Sequence, residues 1–254
     1  MTMRILGAHT PDAGGIVMAV RRAAASHMQA VQVFTAPPTY YGEKVTAKPD
    51  RVAKFREALT AAGIEPRNVL AHGAYVLNTA SSEPEKAARA RNGLAKELER
   101  STAYGVGACC FHPGSAGDGD PGDACDRVGD AICYALATVP EGDGKTRVLI
   151  ENTAGAGRTM GRSAQEIARM LARVPAALRH RTGYGLDSCH LFASGQDIAS
   201  SPAALRAVID DYHNGLTPLI VPLTLIKHYV RLHNVAYIQN QAYLHPHPKE
   251  LMLR

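Results

Sequence analysis

The sequence has no apolar stretch long enough to span a membrane. Its longest apolar segment, residues 216–226, is too short for the hydrocarbon core of a bilayer and is interrupted by Pro218 and Pro222. The first residues enter an expected strand directly and lack the apolar core of a secretion signal. These absences predict a cytoplasmic protein with no membrane partner.

The sequence also lacks a CxxC pair. Its 5 cysteines are odd in number, so reduced thiols are expected rather than disulfides. The composition does not indicate disorder or a fibrous repeat. The formal net charge of +5 is compatible with a polyanionic partner such as DNA but does not establish one. A chain of 254 residues can bury a sizeable core, as one barrel or as two smaller domains.

Short apolar runs alternate with longer helical segments up to residue 211, a pattern typical of repeated βα units in an α/β fold. The predicted strands are 4–9, 30–34, 68–72, 108–112, a fifth that ends at Glu151, and 184–187. Ser163 and Glu166 form a capping-box pattern ahead of a helix with one apolar face. Ser201 and Pro202 predict the start of a later helix.

Residues that bind metals recur where the predicted strands end. In a parallel barrel these strand ends all meet at one face. Histidine nitrogens and carboxylate oxygens are ligands for zinc, manganese and iron(II). A single buried histidine is more often a core residue than a ligand, but recurrence at equivalent positions favours a metal centre. The candidate ligands at the strand ends are His9, His72, His112, Glu151 and Asp187, with His190 one short turn after the last of them.

The motifs around these residues resemble the endonuclease IV family of TIM-barrel apurinic/apyrimidinic (AP) endonucleases. The resemblance covers residues 3–211, which we treat as one predicted domain, 1–211. The matching motifs are Gly7-Ala-His9 with Gly14-Gly15, Ala71-His72 with Tyr75 and Asn78, Phe111-His-Pro-Gly-Ser115, Glu151-Asn-Thr-Ala-Gly155 and Leu186-Asp-Ser-Cys-His190.

The resemblance implies a zinc site of up to three ions, with manganese as an alternative, and double-stranded DNA with abasic sites as the substrate. Hydrolysis 5′ to the lesion would leave a 3′-hydroxyl, and no nucleotide cofactor is expected. By the same resemblance Glu151 would be catalytic and would bridge two zinc ions. His72 and His112 would bind the first zinc, Asp187 the second and His190 the third. For His9 and Tyr75, which lie near the site with Asn78, packing and orientation are the favoured roles.

The sequence changes character after Asp211. Residues 212–254 resemble the C-terminal part of the YbgA-like bacterial family and predict a helical tail unrelated to the barrel. The last two strands of the endonuclease IV barrel supply a His, an Asp-x-His pair and a Glu, and we find none of these after Asp211. The resemblance therefore predicts an incomplete barrel of about six βα units. It also predicts impaired activity and open strand edges that favour dimerisation.

Two questions stay open at this level. Tyr40 and Tyr41, in the loop after the second strand, could stack in a vacated base position of DNA or pack on their own loop. The function also has alternatives. Related barrels include sugar isomerases and epimerases with a single divalent ion, and the chain could instead be a non-catalytic remnant that binds metal and DNA.

Overall fold

The strands form one parallel sheet in sequential order. A computed structural model of the chain describes residues 5–142, 145–193 and 203. Within these residues the sheet has the order β1-β2-β3-β4-β5-β6. The strands are β1 Gly7–His9, β2 Ala30–Phe34, β3 Val69–His72, β4 Ala108–Phe111, β5 Arg147–Glu151 and β6 Thr182–Gly185. The α-helices are α1 Ile16–Ala25, α2 Pro49–Ala62, α3 Pro84–Tyr104, α4 Pro121–Thr138, α5 Ala164–Ala172 and α6 Ser188–Ala193.

This architecture confirms the predicted α/β fold of six βα units, with small corrections to the strand ends. The last strand ends at Gly185 rather than Asp187, so Asp187 lies in the turn that leads into α6. The predicted helix at Ser201 and Pro202 and the tail 212–254 lie outside the described residues. The domain boundary at residue 211 therefore stays a prediction. None of the helices within residues 5–142 and 145–193 combines the length and apolar character needed to cross a membrane.

The core lies between the sheet and the helices that follow each strand. All four residues of β4 are buried, as expected for a parallel strand that is covered on both faces. One apolar cluster joins β4 and β5 to α3, α4 and α5, through residues such as Leu98, Phe111 and Ile132. A second cluster joins β2 and β3 to α1 and α2 around Phe55. Because all six strands are parallel, the loops that follow them lie at one rim of the sheet.

The helix starts and ends are set by local residues. Helices α2, α3 and α4 each begin with a proline in the first turn, where the missing N–H costs no hydrogen bond. Helices α2 and α3 end at Gly63 and Gly105, whose φ angles of 65° and 77° suit glycine. These stops turn the chain back towards β3 and β4.

The predicted cap of α5 is present, with one difference from a capping box. Ser163 Oγ accepts a hydrogen bond from the Glu166 N–H at 3.2 Å, as the sequence predicts. The carboxylate of Glu166 reaches further back than Ser163 and accepts from the N–H groups of Gly161 and Arg162 at 2.7 and 3.1 Å. The helix start therefore also fixes the end of the loop that follows β5.

Replacing Ser163 with Ala is expected to lower the free energy of unfolding by about 1 kcal/mol, the usual cost of losing a helix cap. Urea unfolding of both proteins measures this difference. Thr60→Ala is the control, because the Thr60 hydroxyl donates to the Arg56 carbonyl within α2 and does not cap the start of that helix. Its change should stay within about 0.5 kcal/mol. An equal loss in the two variants would contradict the capping role of Ser163.

Candidate metal centre

The ends of three adjacent strands bring His72, His112 and Glu151 together. His72 ends β3, Glu151 ends β5, and His112 directly follows β4 between them. The Nε2 atom of His72 lies 3.1 Å from Oε2 of Glu151, and Nε2 of His112 lies 3.4 Å from Oε1. The two imidazole nitrogens thus face the two oxygens of one carboxylate.

The ring of His72 is held by its other nitrogen. Its Nδ1 donates a hydrogen bond to the Gly73 carbonyl at 2.7 Å, which leaves Nε2 directed at Glu151. Burial alone would lower the pKa of His72, but the bonds to Glu151 and to Gly73 raise it overall. A carbonyl acceptor on one ring nitrogen is the usual support for a histidine whose other nitrogen binds metal.

Glu151 is the ionised centre of the cluster. Burial alone would raise its pKa, but the neighbouring imidazoles of His112 and His72 hold the pKa well below its usual range. The Sγ of Cys110 contacts Oε2 of Glu151 at 3.6 Å, and burial raises the pKa of this thiol. Cys110 therefore stays protonated and donates to the carboxylate.

A second group of ligand atoms shares Glu151 and adds Asp187 and His190. The Nδ1 atom of His190 lies 3.5 Å from Oε1 of Glu151 and 3.9 Å from Oδ1 of Asp187. This Nδ1 donates a hydrogen bond to the Asn152 carbonyl at 2.8 Å, so Nε2 is the ring nitrogen left to bind a cation. Asp187 Oδ1 also accepts the backbone N–H of His190 at 2.7 Å, so the carboxylate holds the first turn of α6. The turn that follows the end of β6 positions Asp187, and the start of α6 positions His190.

Both groups fit a metal ion such as zinc. In each, one ligand atom per residue lies within 4.8 Å of the others. Ligands around a tetrahedral zinc lie roughly 3.4 Å from one another, close to the 3.1 and 3.4 Å that separate the nitrogens of His72 and His112 from the oxygens of Glu151. The Nε2 atom of His112 is buried and forms no hydrogen bond of good geometry within the described part of the chain, and Glu151 Oε1 at 3.4 Å is its nearest polar contact. Nitrogen and carboxylate oxygen donors are those zinc accepts.

The other predicted residues lie near the centre without joining either group. His9 packs on Phe34 with ring centroids 4.6 Å apart, and its Nδ1 lies 3.1 Å from Gln32 Nε2. Burial lowers the pKa of His9. Asn78 accepts the Ser115 N–H at 2.9 Å and so holds the loop after β4. These contacts agree with packing and orientation.

Three tyrosines differ in their surroundings at the rim. Tyr75 is 56% exposed, and its ring lies nearly parallel to that of His112 with centroids 6.1 Å apart. Tyr41 packs on α3, where the Arg89 guanidinium lies 4.1 Å from its ring centre. Tyr40 is half-buried. A role of Tyr40 or Tyr41 in DNA binding stays a prediction.

Two residues of the site were not predicted from the sequence. Cys110 lies inside β4, where its apolar neighbours indicated only a core position. Asn152 belongs to the motif Glu151-Asn-Thr-Ala-Gly155, in which the sequence predicts a role for Glu151 alone. Its side chain contacts the Asp187 backbone. The sequence signal that could have indicated Asn152 is its position directly after Glu151, the acid that ends the predicted strand.

The parallel sheet with candidate metal ligands at one rim is typical of the xylose isomerase-like TIM-barrel class. The family profile with that description matches residues 20–222. Solved structures of the same class include a D-tagatose 3-epimerase-like protein, with a TM-score of 0.57 and 12% identity over 74% of this chain and 66% of that one. At that identity the likeness shows the fold alone.

Within this class the chain belongs to the endonuclease IV family. It is 32% identical to the probable endonuclease 4 of Chlorobium phaeovibrioides over 205 residues, which are 80% of this chain and 71% of the relative. The relative from Citrifermentans bemidjiense is 34% identical over 84% of this chain and 73% of its own length. The crystal structure of endonuclease IV from Thermus thermophilus matches with a TM-score of 0.64 and 31% identity, over 84% of this chain and 73% of that chain.

A second profile matches the C-terminal segment. It is described as a protein of unknown function, DUF1722, and covers residues 198–248. It overlaps the end of the barrel profile and includes most of the segment that resembles the YbgA-like family. The chain thus joins sequence typical of two families.

Proposed function

We propose that the chain is a zinc-dependent AP endonuclease that hydrolyses the phosphodiester 5′ to an abasic site in double-stranded DNA. The observation that supports this most directly is the pair of ligand groups that share Glu151 at the rim of the sheet. A single-ion isomerase site would not require two such groups. The family membership and the identity to probable endonuclease 4 proteins support the same reaction.

The exposure of the ligands suits a large substrate. His72 lies at the base of the site with 5% of its side chain exposed, whereas His112, His190 and Asp187 are 29%, 30% and 36% exposed. A phosphodiester can therefore approach the more exposed His112, His190 and Asp187. The His72 ring stays in place below them, because its Nδ1 is bonded to the Gly73 carbonyl. Bound zinc would supply activation of water and neutralisation of the charge that builds on the phosphate oxygens.

We also propose that the activity is weaker than that of a family member with all its ligands. The second and third zinc sites of the family take ligands from the last two strands, and the sequence after Asp211 shows none of those motifs. Each missing ligand removes both charge and geometry from a metal site. The group of His72, His112 and Glu151 keeps its protein ligands, so zinc is expected to bind there most tightly.

The test is incision of a labelled duplex that carries one abasic-site analogue, with the identical undamaged duplex as the control. We expect slow cutting 5′ to the lesion, with a product that a DNA polymerase can extend because its 3′ end is a hydroxyl. Chelation with EDTA should abolish the cutting, and added zinc should restore it. His72→Ala should cut more slowly than the unchanged protein at every zinc concentration.

Other results would favour other functions. Interconversion of a ketose and an epimer with manganese, without incision, would replace the proposal with a sugar epimerase. Salt-sensitive DNA binding without cleavage would indicate a non-catalytic binder. A protein that binds no zinc at all would overturn the metal site itself.

A further inference from the structure

The side chain of Asn152 makes two hydrogen bonds to the backbone of one residue. Its Oδ1 accepts from the Asp187 N–H at 2.6 Å, and its Nδ2 donates to the Asp187 carbonyl at 2.9 Å. Asn152 is only 2% exposed, so both bonds are formed away from water. A carboxamide is suited to this contact because it offers one acceptor and one donor side by side.

The backbone of Asn152 holds the same segment at two further points. Its N–H donates to the Gly185 carbonyl at 3.3 Å, and its carbonyl accepts from Nδ1 of His190 at 2.8 Å. The turn from the end of β6 to the first turn of α6 is therefore bonded to Asn152 at its start, middle and end. Asp187 then passes this position on to His190, whose backbone N–H it accepts.

In the described part of the chain, the elements on either side of the turn are a strand at the edge of the sheet and a short helix. There β6 pairs only with β5, and α6 has only 6 residues. Asp187 lies two positions beyond the strand, where the hydrogen bonds of the sheet no longer fix it. The first ligand group has no such need, since His72 and Glu151 belong to paired strands.

We infer that Asn152 is a positioning residue, which holds Asp187 and His190 where they can bind a cation together with Glu151. The inference rests on the proposed function, because it assumes that the rim binds metal. The inference adds that only one of the two ligand groups depends on the Asn152 side chain. Loss of the Asn152 side chain should weaken the group of Asp187 and His190 and leave the group of His72 and His112 intact. Residues that support a metal ligand through hydrogen bonds typically change metal affinity about 10–100-fold.

The test is a titration of the whole 254-residue chain with cobalt(II), whose absorption spectrum reports each occupied site. The unchanged protein should show a tight site and a weaker one. Asn152→Ala should weaken the second site about 10–100-fold and leave the affinity and spectrum of the first unchanged. Asn152→Leu keeps about the size of the side chain and removes both polar atoms without adding a charge, so it should show a similar loss confined to the same site.

Thr153→Val is the matched control for general destabilisation. Thr153 is the next residue, is buried, and its hydroxyl donates to the Met160 carbonyl at 2.8 Å rather than to Asp187 or His190. It should leave both cobalt sites unchanged. Equal weakening of both sites in the Asn152 variants, or no weakening at all, would overturn the inference. A failure of the metal site on which the proposed function depends would look different, because the unchanged protein would then bind no cobalt at either site. A failure of the endonuclease activity alone would appear in the incision assay and would leave the cobalt titrations unchanged.

Discussion

Glu151→Gln is expected to lower zinc affinity at both ligand groups, by at least about 100-fold. Glu151 is the residue that the two groups share, and its oxygens lie 3.1–3.5 Å from nitrogens of His72, His112 and His190. Glutamine keeps the shape of the side chain but removes the negative charge that attracts the cation. An outer-shell partner already changes metal affinity about 10–100-fold, so a shared direct ligand should reach or exceed the top of that range.

Zinc affinity is measured by competition with a chromophoric chelator, and bound zinc by elemental analysis. Glu141→Gln is a matched control, because Glu141 lies 3.4 Å from His180 in another glutamate–histidine contact that is largely exposed. It should leave zinc binding unchanged. If Glu151→Gln weakened only one site, Glu151 would not bridge the groups. If both variants bound zinc like the unchanged protein, the candidate metal centre would be wrong.

The loss should also reach DNA incision, because the proposed reaction depends on the metal. If the unchanged chain cuts DNA slowly, the incision assay can show only a small loss for Glu151→Gln. Zinc affinity can be measured whatever the incision rate of the unchanged chain is. Zinc binding is therefore the sharper readout of Glu151. Zinc or cobalt binding by the Glu151 and Asn152 variants separates their two roles. Changes at Glu151 should affect both ligand groups, and changes at Asn152 should affect one.

The strand ends could be predicted because parallel strands impose a simple rule on the sequence. Apolar runs such as Val148–Leu149–Ile150 end at a residue that must leave the core, so a Glu or His at that point lies at the rim. This rule placed Glu151 and His72 correctly at the ends of β5 and β3. It depends only on local sequence and on the parallel order.

The contacts that orient these residues could not be predicted in the same way. Cys110 donates to Glu151 from the neighbouring strand, and Asn152 binds a turn 35 positions later in the chain. Both depend on the register between strands, which the sequence pattern does not determine. The predicted strand 184–187 includes Asp187 for the same reason, since only the hydrogen bonds of β6 show that the strand ends at Gly185.

A buried ion pair connects α3 to the loops of the same rim. Arg100 and Glu97 are 2% and 1% exposed, and their nearest charged atoms are 2.8 Å apart. Arg100 also donates to the Gly42 carbonyl at 2.6 Å, in the loop that carries Tyr40 and Tyr41. Glu97 accepts from the Thr35 hydroxyl at 2.8 Å. The pair thus holds the start and the middle of the loop after β2.

Glu97→Ala is expected to lower the free energy of unfolding by about 3–5 kcal/mol, because it leaves the Arg100 guanidinium buried without its counter-charge. Urea unfolding measures the change. Glu99→Ala is the control, since Glu99 pairs with Lys96 at the same three-residue spacing on α3 but on the exposed side. Its change should lie within about 1 kcal/mol.

The double variant Glu97→Leu/Arg100→Met separates the charge from the packing. If the cost of Glu97→Ala comes from an unpaired buried charge, removing both charges should restore part of the lost stability. The restoration should be incomplete, because Met cannot replace the hydrogen bonds from Arg100 to Gly42 and Thr35. A double variant less stable than Glu97→Ala would show that these bonds to the loop, rather than the ion pair, carry most of the stabilisation.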